Sequence, residues 1–262
     1  MHFYKFDGAG NDFILLDTRQ HDPQLTTSQI AALCHRRFGI GADGLMTLSN
    51  APEGYDFLMR YYNSDGREAS MCGNGGRCIV AFAHLLGIQP ASDYSFLGPD
   101  GPHRATLLNW DPQHNNGTVS LGMRDVACDQ IRPVMGGHSL DTGSPHLVLP
   151  VSDLEHYNVA GEGRRIRNLL DLWPQGTNVD FVETAPDGTL HIRTYERGVE
   201  DETWACGTGV TAAALVTGIH HIHARGGQFT VDFHLAHDTY TDIALTGPVS
   251  LNFEGDVLAV SS

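Results

Sequence analysis

Two stretches of this chain share a pattern that a fold must accommodate twice. "MCGNGGRCIVAFAHLLG" runs from Met71 to Gly87, and "ACGTGVTAAALVTG" begins at Ala205. Each is Cys-Gly-x-Gly followed by small and apolar residues, and the two cysteines, Cys72 and Cys206, stand 134 positions apart. A helix that is apolar nearly all round is a buried one. The chain therefore has to supply an enclosing layer for two helices, and each helix begins at a cysteine in a glycine-rich turn.

The flanking segments supply that layer. "HFYKFDGAGNDFILLD" reads as a strand, a "DGAGND" turn and a second strand. "TTSQIAALCHRRFG" carries helix signals, with Thr and Ser at its start, apolar spacing through Ile30, Leu33 and Cys34, and Gly39 at its close. "GADGLMTLS" and "YDFLMRYYNSDG" read as strands, the second alternating Phe57, Met59 and Tyr61 before an Asn-Ser-Asp-Gly turn. The first Cys-Gly helix follows, stopped by Gly87 with Pro90 beyond, and then short strands to about Met123. After about residue 115 the layout restarts. "HLVLPV" is an apolar strand, "GRRIRNLLDLW" a short helix, and "NVDFVETAPDGTLHIRTYERG" a hairpin closed on Pro-Asp-Gly. The second Cys-Gly helix and a series of strands complete the chain.

The order strands, Cys-Gly turn, helix, strands thus occurs twice, which marks an internal duplication. The architecture expected is α/β (α+β), with two pseudo-symmetric halves, each a sheet wrapped around its own central helix. The two helix N-termini are expected to face a common cleft. At 262 residues the chain is long enough for two such units.

Composition narrows the function. The formal charge of −15 argues against a nucleic-acid or anionic-membrane surface, since both select basic patches. No apolar run of about 18 residues predicts a membrane span, and the start of the chain lacks a signal-peptide pattern. Five cysteines, Cys34, Cys72, Cys78, Cys128 and Cys206, are too few and odd in number for a disulfide framework, so the cytoplasm is the default. Cys34 and Cys78 occupy helical core positions and Cys128 a strand-like segment. No metal is expected: Cys72 and Cys78 are not in a C-x₂-C spacing, and no His pair completes a ligand set. "CGNGGR" and "GAGNDF" lack the residues of a phosphate loop. Lys5 is the only lysine, which leaves no evident Schiff-base site. The fifteen histidines, several in "HHIHARGG", read mostly as solvated.

The cysteines are different. A helix N-terminus has unpaired N–H groups and a positive dipole end, which lowers a cysteine pKa from about 8.5 and can hold a carboxylate. Two such thiols suit inversion of a carbon that bears a hydrogen, one removing a proton from one face and the other supplying a proton to the opposite face. Glu196 in "YERG" and His146 in "GSPH", both in turn-like contexts, are available to hold them.

"FYKFDGAGNDFILLD", "NSDGREASMCGNGGRC", "GSPH", "TNVDF" and "ERGVEDETWACGTG", in that order over essentially the whole length, resemble the diaminopimelate epimerase family. The resemblance implies a cofactor-independent isomerase interconverting LL- and meso-diaminopimelate for lysine and peptidoglycan precursors. It also implies two barrel-like halves, often in a homodimer; the expected halves are 1–115, joined by a C-terminal strand over 249–262, and 116–248. Carried over residue by residue, it implies catalytic Cys72 and Cys206, with His146 and Glu196 assisting. Substrate binding falls on Asn11, Asn63 and Asn178, on Gly73 and Asn74, on Gly207 and Thr208, and on Glu196 and Arg197. Two departures stand out. Many members have Asn-Pro-His where this chain has Ser144-Pro145-His146, and some have glutamine at Gly44; both bear on substrate selection rather than proton transfer. Proline and hydroxyproline racemases typically have histidine where Asn74 stands. The alternatives are another amino-acid racemase or epimerase, for instance of histidine or hydroxyproline, and a non-catalytic redox-sensing or ligand-binding module.

Overall fold

The computed structural model describes residues 1–88 and 92–258; Pro90 and the end of the expected C-terminal strand, 259–262, lie outside them. The chain divides into two compact units, Met1–Leu121 with Pro248–Ser262, and Gly122–Gly247.

The first unit contains β1 (His2–Gly8), β2 (Asn11–Asp17), α1 (Thr27–Cys34), β3 (Gly44–Ser49), β4 (Phe57–Asn63), α2 (Gly73–Leu85), β5 (Asp93–Gly98), β6 (Gly101–Asp111) and β7 (Asn116–Gly122). The second contains β8 (Val126–Ala127), β9 (Arg132–Val134), β10 (Gly137–Asp141), β11 (Pro145–Pro150), α3 (Val159–Arg167), β12 (Asn178–Thr184), β13 (Leu190–Glu196), β14 (Asp201–Thr203), α4 (Gly207–Thr217), β15 (His221–Ala224) and β16 (Gly227–Ala236). The last strand, β17 (Thr239–Asp256), serves both: its first part pairs with β16 and its last part with β1.

The duplication is visible in strand pairing. In the first unit, the hairpin β1–β2 is followed by a parallel step to β3 across α1, the hairpin β3–β4, a parallel step to β5 across α2, and the hairpin β5–β6. In the second, the hairpin β10–β11 leads across α3 to parallel β12, the hairpin β12–β13 leads across α4 to β15 parallel to β13, and the hairpin β15–β16 follows. The first unit closes as a ring, because β6 pairs with β7, β7 with β17 and β17 with β1.

Each Cys-Gly helix is the core of its unit. α2 packs against β1, β2, β3 and β6, and α4 against β10, β11, β12, β13, β15 and β16. Residues Gly73 through Ala83 of α2 are all buried, with Phe82 against Tyr4 and Phe6. The outer helices cover the opposite faces of some strands. α1 packs Ile30, Leu33 and Cys34 on Ile14 and Leu16, which explains the unbroken apolar run of β2: Phe13, Ile14, Leu15 and Leu16 are all 2% exposed or less. A strand covered on both faces has no polar alternation. α3 plays the same part in the second unit, burying Val159 and Ile166 with Val179, Phe181 and Tyr195.

Three local expectations need correction. α1 ends at Cys34, not near Gly39: His35 is extended, and the carbonyls of Leu33 and Cys34 are taken by the N–H groups of Ile40, Gly41 and Ala42. α3 spans 159–167 rather than 163–173, because the Asn158 side chain accepts from the Gly161 N–H and starts the helix one turn earlier. Residues 169–173 continue only as turns, Leu172 and Trp173 both donating to the Leu169 carbonyl. Cys128 opens a short 3₁₀ turn, Cys128–Gln130, rather than a strand. Among the described residues no helix is long and apolar enough to cross a membrane.

Candidate active site

The two cysteines are presented alike. Each is the residue before the first helical turn, Cys72 with φ −113° and ψ 124° and Cys206 with φ −114° and ψ 110°. Their carbonyls accept the N–H groups four residues on, from Gly76 at 2.7 Å and Val210 at 2.8 Å.

In the first unit, Cys72 is half-buried and its thiol donates to Oδ1 of Asn11 at 3.6 Å. Asn74, the second helical residue, donates to the same oxygen at 3.4 Å. The start of β2, which carries Asn11, is anchored by charged neighbours. The Asn11 amide donates to Asp43 at 2.6 Å, and Arg36 bridges Asp43 and Asp12. Lys5, buried in β1, pairs with Asp12. Gly8 lets β1 lie against the helix start, since a Cβ there would stand 2.9 Å from the Asn74 carbonyl. Asn63 is exposed at the end of β4, and among the described residues no hydrogen bond joins its side chain to this cluster.

Arg77, which sequence reasoning passed over, is fully buried on α2. Its guanidinium donates to Asn74 Oδ1 at 2.9 Å and to the Gly73 carbonyl at 3.3 Å. Burial lowers its pKa to about 10, with the Cys78 and Cys72 thiols acting in the opposite direction. One arginine in an otherwise small and apolar helix was the available signal.

In the second unit, the predicted residues meet around one imidazole. His146 is fully buried in β11, and Glu196 ends β13, so neither sits in the turn expected of it. His146 Nε2 lies 2.8 Å from Thr208 Oγ1, 3.0 Å from Ser144 Oγ and 3.3 Å from Asn178 Nδ2. Thr208 Oγ1 lies 3.4 Å from the Cys206 sulfur. Asn178 donates to Ser144 Oγ and the Pro145 carbonyl, both at 3.1 Å, and accepts the Arg197 N–H at 2.8 Å. The Arg197 side chain points elsewhere, donating to the Gln175 carbonyl at 3.3 Å. Glu196 accepts from the Thr203 hydroxyl at 3.0 Å.

The direction expected for Cys206 is reversed. Burial pushes its thiol well above the ordinary range, and the charges of Glu196 and Asp180 push the same way; its hydrogen bonds with the Thr208 side chain and the Gly209 N–H only partly oppose them. At 8% exposure, desolvation outweighs the helix end. The Ser144 departure also reads differently: its hydroxyl belongs to the network that reaches Cys206 and is 3.1 Å from Thr208 Oγ1. The Gly44 departure has a steric reason, because a Cβ there would stand 2.6 Å from both the Tyr61 ring and the Tyr62 carbonyl. Among the described residues no three His, Cys, Asp or Glu side chains gather as a metal site would require.

A family model described as diaminopimelate epimerase matches residues 3–123 and 138–237. The chain is 44% identical to the diaminopimelate epimerase of Flavobacterium psychrophilum, over 97% of this chain and 99% of that one. The chain belongs to the diaminopimelate epimerase family. Family membership makes it an epimerase, a kind of isomerase. The Chlorobaculum tepidum diaminopimelate epimerase is 42% identical, over 95% of this chain and 98% of its own. Among solved structures, a probable proline racemase from Agrobacterium radiobacter K84 superimposes with a TM-score of 0.73 at 15% identity, covering 99% of this chain and 93% of that one. That likeness speaks to fold alone. The diaminopimelate epimerase family and the duplicated Cys-Gly helices thus coincide on one chain.

Proposed function

We propose that this chain interconverts LL- and meso-diaminopimelate at one α-carbon, without a cofactor, using Cys72 and Cys206 as the two acid/base groups. The observation that carries the reading is the near-superposable backbone at the two cysteines, each at the start of a buried helix, in a chain of this family. In each direction one sulfur, as thiolate, takes the α-proton while the other, as thiol, returns a proton to the opposite face; the roles exchange with direction. The helix-start N–H groups at Gly73–Asn74 and Gly207–Thr208 would receive the α-carboxylate. Asn11, Asn63, Asn178, Glu196 and Arg197 would hold the remaining polar groups, with His146 and Glu196 tuning the sulfurs.

The raised pKa of Cys206 fits a resting thiol, the proton donor in the direction that takes Cys72 as the base. Incubation with LL-diaminopimelate in deuterated water should give meso product carrying solvent deuterium at the inverted carbon, and Cys72→Ala should abolish it. Full activity in that variant would sink the reading. On the same footing the enzyme is taken to work in the cytoplasm as a homodimer, supplying lysine and peptidoglycan precursors; sedimentation at micromolar concentration tests the dimer.

A further inference from the structure

Asp180 lies two residues beyond Asn178 on β12, so both side chains project from the same face of the strand. It is fully buried, as is His146. Its Oδ2 is 2.7 Å from His146 Nδ1, and its Oδ1 accepts the Thr194 hydroxyl at 2.7 Å. Gly209, in the first turn of α4, makes room for it: a Cβ there would stand 2.4 Å from Asp180 Oδ1. A carboxylate only accepts, so in the neutral imidazole Nδ1 carries the proton and Nε2 keeps its lone pair. Thr208 Oγ1 is the nearest hydroxyl to Nε2, at 2.8 Å against 3.0 Å for Ser144 Oγ, and it also lies 3.4 Å from the Cys206 sulfur, so it can donate to the imidazole while accepting from the thiol. In that arrangement every hydrogen bond along Cys206, Thr208, His146 and Asp180 runs toward the carboxylate.

We propose that Asp180 is the positioning residue that fixes the His146 tautomer and so makes this imidazole, through the Thr208 hydroxyl, the proton acceptor of the Cys206 thiol. In that step the Cys206 S–H bond breaks and its proton passes to Thr208 Oγ. The Thr208 proton passes to His146 Nε2. The products are a thiolate and an imidazolium paired with the Asp180 carboxylate, with no net change of protons or electrons. The other titratable groups around α4 do not take this part. Glu196 of β13 bonds Thr203, Asp141 of β10 faces Arg124 and the Gly143 N–H, and His221, His223 and Asp232 of β15 and β16 are exposed. The catalytic consequence rests on the epimerase reading, but the relay itself can be read without turnover.

The discriminating experiment uses the full chain, with Cys206 alkylation by iodoacetamide followed against pH by peptide mass spectrometry. If Asp180 were merely a negative neighbour, Asp180→Asn would ease thiolate formation and move the Cys206 midpoint down. The relay predicts the opposite, a rise of about one pH unit or more, because the imidazolium loses its counter-charge. In turnover, kcat should fall about 100-fold with KM within about threefold, as for lost proton transfer rather than lost binding. Nitrogen-15 NMR of the wild type should show His146 unprotonated at Nε2. A midpoint that stays or falls in Asp180→Asn, or an Nε2-protonated wild type, overturns the proposal. Should Asp180→Asn fail to fold, Thr208→Val cuts the relay while leaving the His146–Asp180 bond. It should raise the midpoint likewise, Thr208→Ser should restore it, and an unmoved midpoint in Thr208→Val is equally fatal. Absence of deuterium incorporation by the wild type would remove the epimerase reading and leave these alkylation outcomes to decide the relay.

Discussion

The side-chain oxygen of Asn11 receives the Cys72 thiol at 3.6 Å and the Asn74 amide at 3.4 Å, so the first residue of β2 ties the sulfur to the helix start behind it. Replacing its amide nitrogen by a second oxygen adds a charge and removes the hydrogen bond to Asp43. Asn11→Asp places a carboxylate beside the sulfur, a like-charge interaction of about 1–4 kcal/mol between aqueous and protein-surface dielectrics. The Cys72 alkylation midpoint should therefore rise by about 1–3 pH units, and the rate at neutral pH should fall with it. An unmoved midpoint would show that the Asn11 contact does not govern this thiol.

Lys5, Asp12 and Arg36 set the acid limit of the first unit. Burial alone would raise the Asp12 pKa, but its hydrogen bonds from Arg36 and Lys5 outweigh it and hold the carboxyl at about 2. A depressed carboxyl contributes stability that is present above its unfolded pKa of about 3.9 and is lost as pH falls toward the folded value. Lys5→Met should therefore weaken the protein by roughly 1–2 kcal/mol at neutral pH, allowing for partial solvent screening. The same change should flatten the decline of thermal stability between about pH 4 and pH 2. Melting temperature against pH for the two proteins checks both.

At the alkaline end the sign reverses. Burial, the largest influence, pushes the Cys34 thiol up to about 12, whereas an unfolded cysteine titrates near 8.5. The folded chain thus holds a proton that the unfolded chain releases, and stability is full below about pH 8.5 and declines through pH 12. Cys78 and Cys206 act in the same direction. Cys34→Ala should make the decline shallower without abolishing it, and rapid labelling at pH 8 should spare Cys34 and Cys78 in the folded protein. Prompt labelling of all five cysteines would contradict this burial pattern.

What could be read from the letters was whatever repeats or alternates. The two Cys-Gly helices, the hairpin closed on Pro-Asp-Gly and the strand β2 follow from local pattern, because small residues in a helix and apolar runs in a strand have few other uses. Asp180 was not legible. One acidic residue inside "NVDFV" reads as the outward position of an alternating strand, and only the partner strands reveal His146 and Thr194 beside it. Arg77 stood out as the one arginine of α2, but its partners there, Asn74 Oδ1 and the Gly73 carbonyl, were not legible. The Cys206 reversal has a different cause: a helix end can be inferred from sequence, but the desolvation that outweighs it depends on everything packed above the sulfur.

Gly44 was noticed as a departure and acquires a steric meaning. A Cβ at this position meets both the Tyr61 ring and the Tyr62 carbonyl at 2.6 Å. Gly44→Ala should cost about 1–3 kcal/mol, the usual range for overpacking. Adding Tyr61→Ala should relieve the ring's share but not the backbone's, so the double mutant should be less destabilised than the sum of the singles. Additive losses in denaturant titration would show that the ring is not the obstacle.

The second glycine of each Cys-Gly-x-Gly turn gives the sharpest contrast, because the same substitution meets different neighbours in the two units. In a helix, Gly→Ala normally stabilises by about 0.8–1 kcal/mol. At Gly75 the new methyl would meet the Met46 sulfur at 3.0 Å, the end of a flexible side chain that can move aside. At Gly209 it would meet the Asp180 carboxylate at 2.4 Å and His146 Cε1 at 3.2 Å, both buried and tied by hydrogen bonds. Gly75→Ala should keep its melting temperature and a rate within about threefold of the parent, the helix gain offsetting the contact. Gly209→Ala should lose stability by about 1–3 kcal/mol, as overpacking of a rigid site does, and should raise the Cys206 alkylation midpoint. Equal tolerance at the two positions would mean that the carboxylate beneath α4 is free to move, and the sulfur above it would then owe nothing to where Asp180 stands.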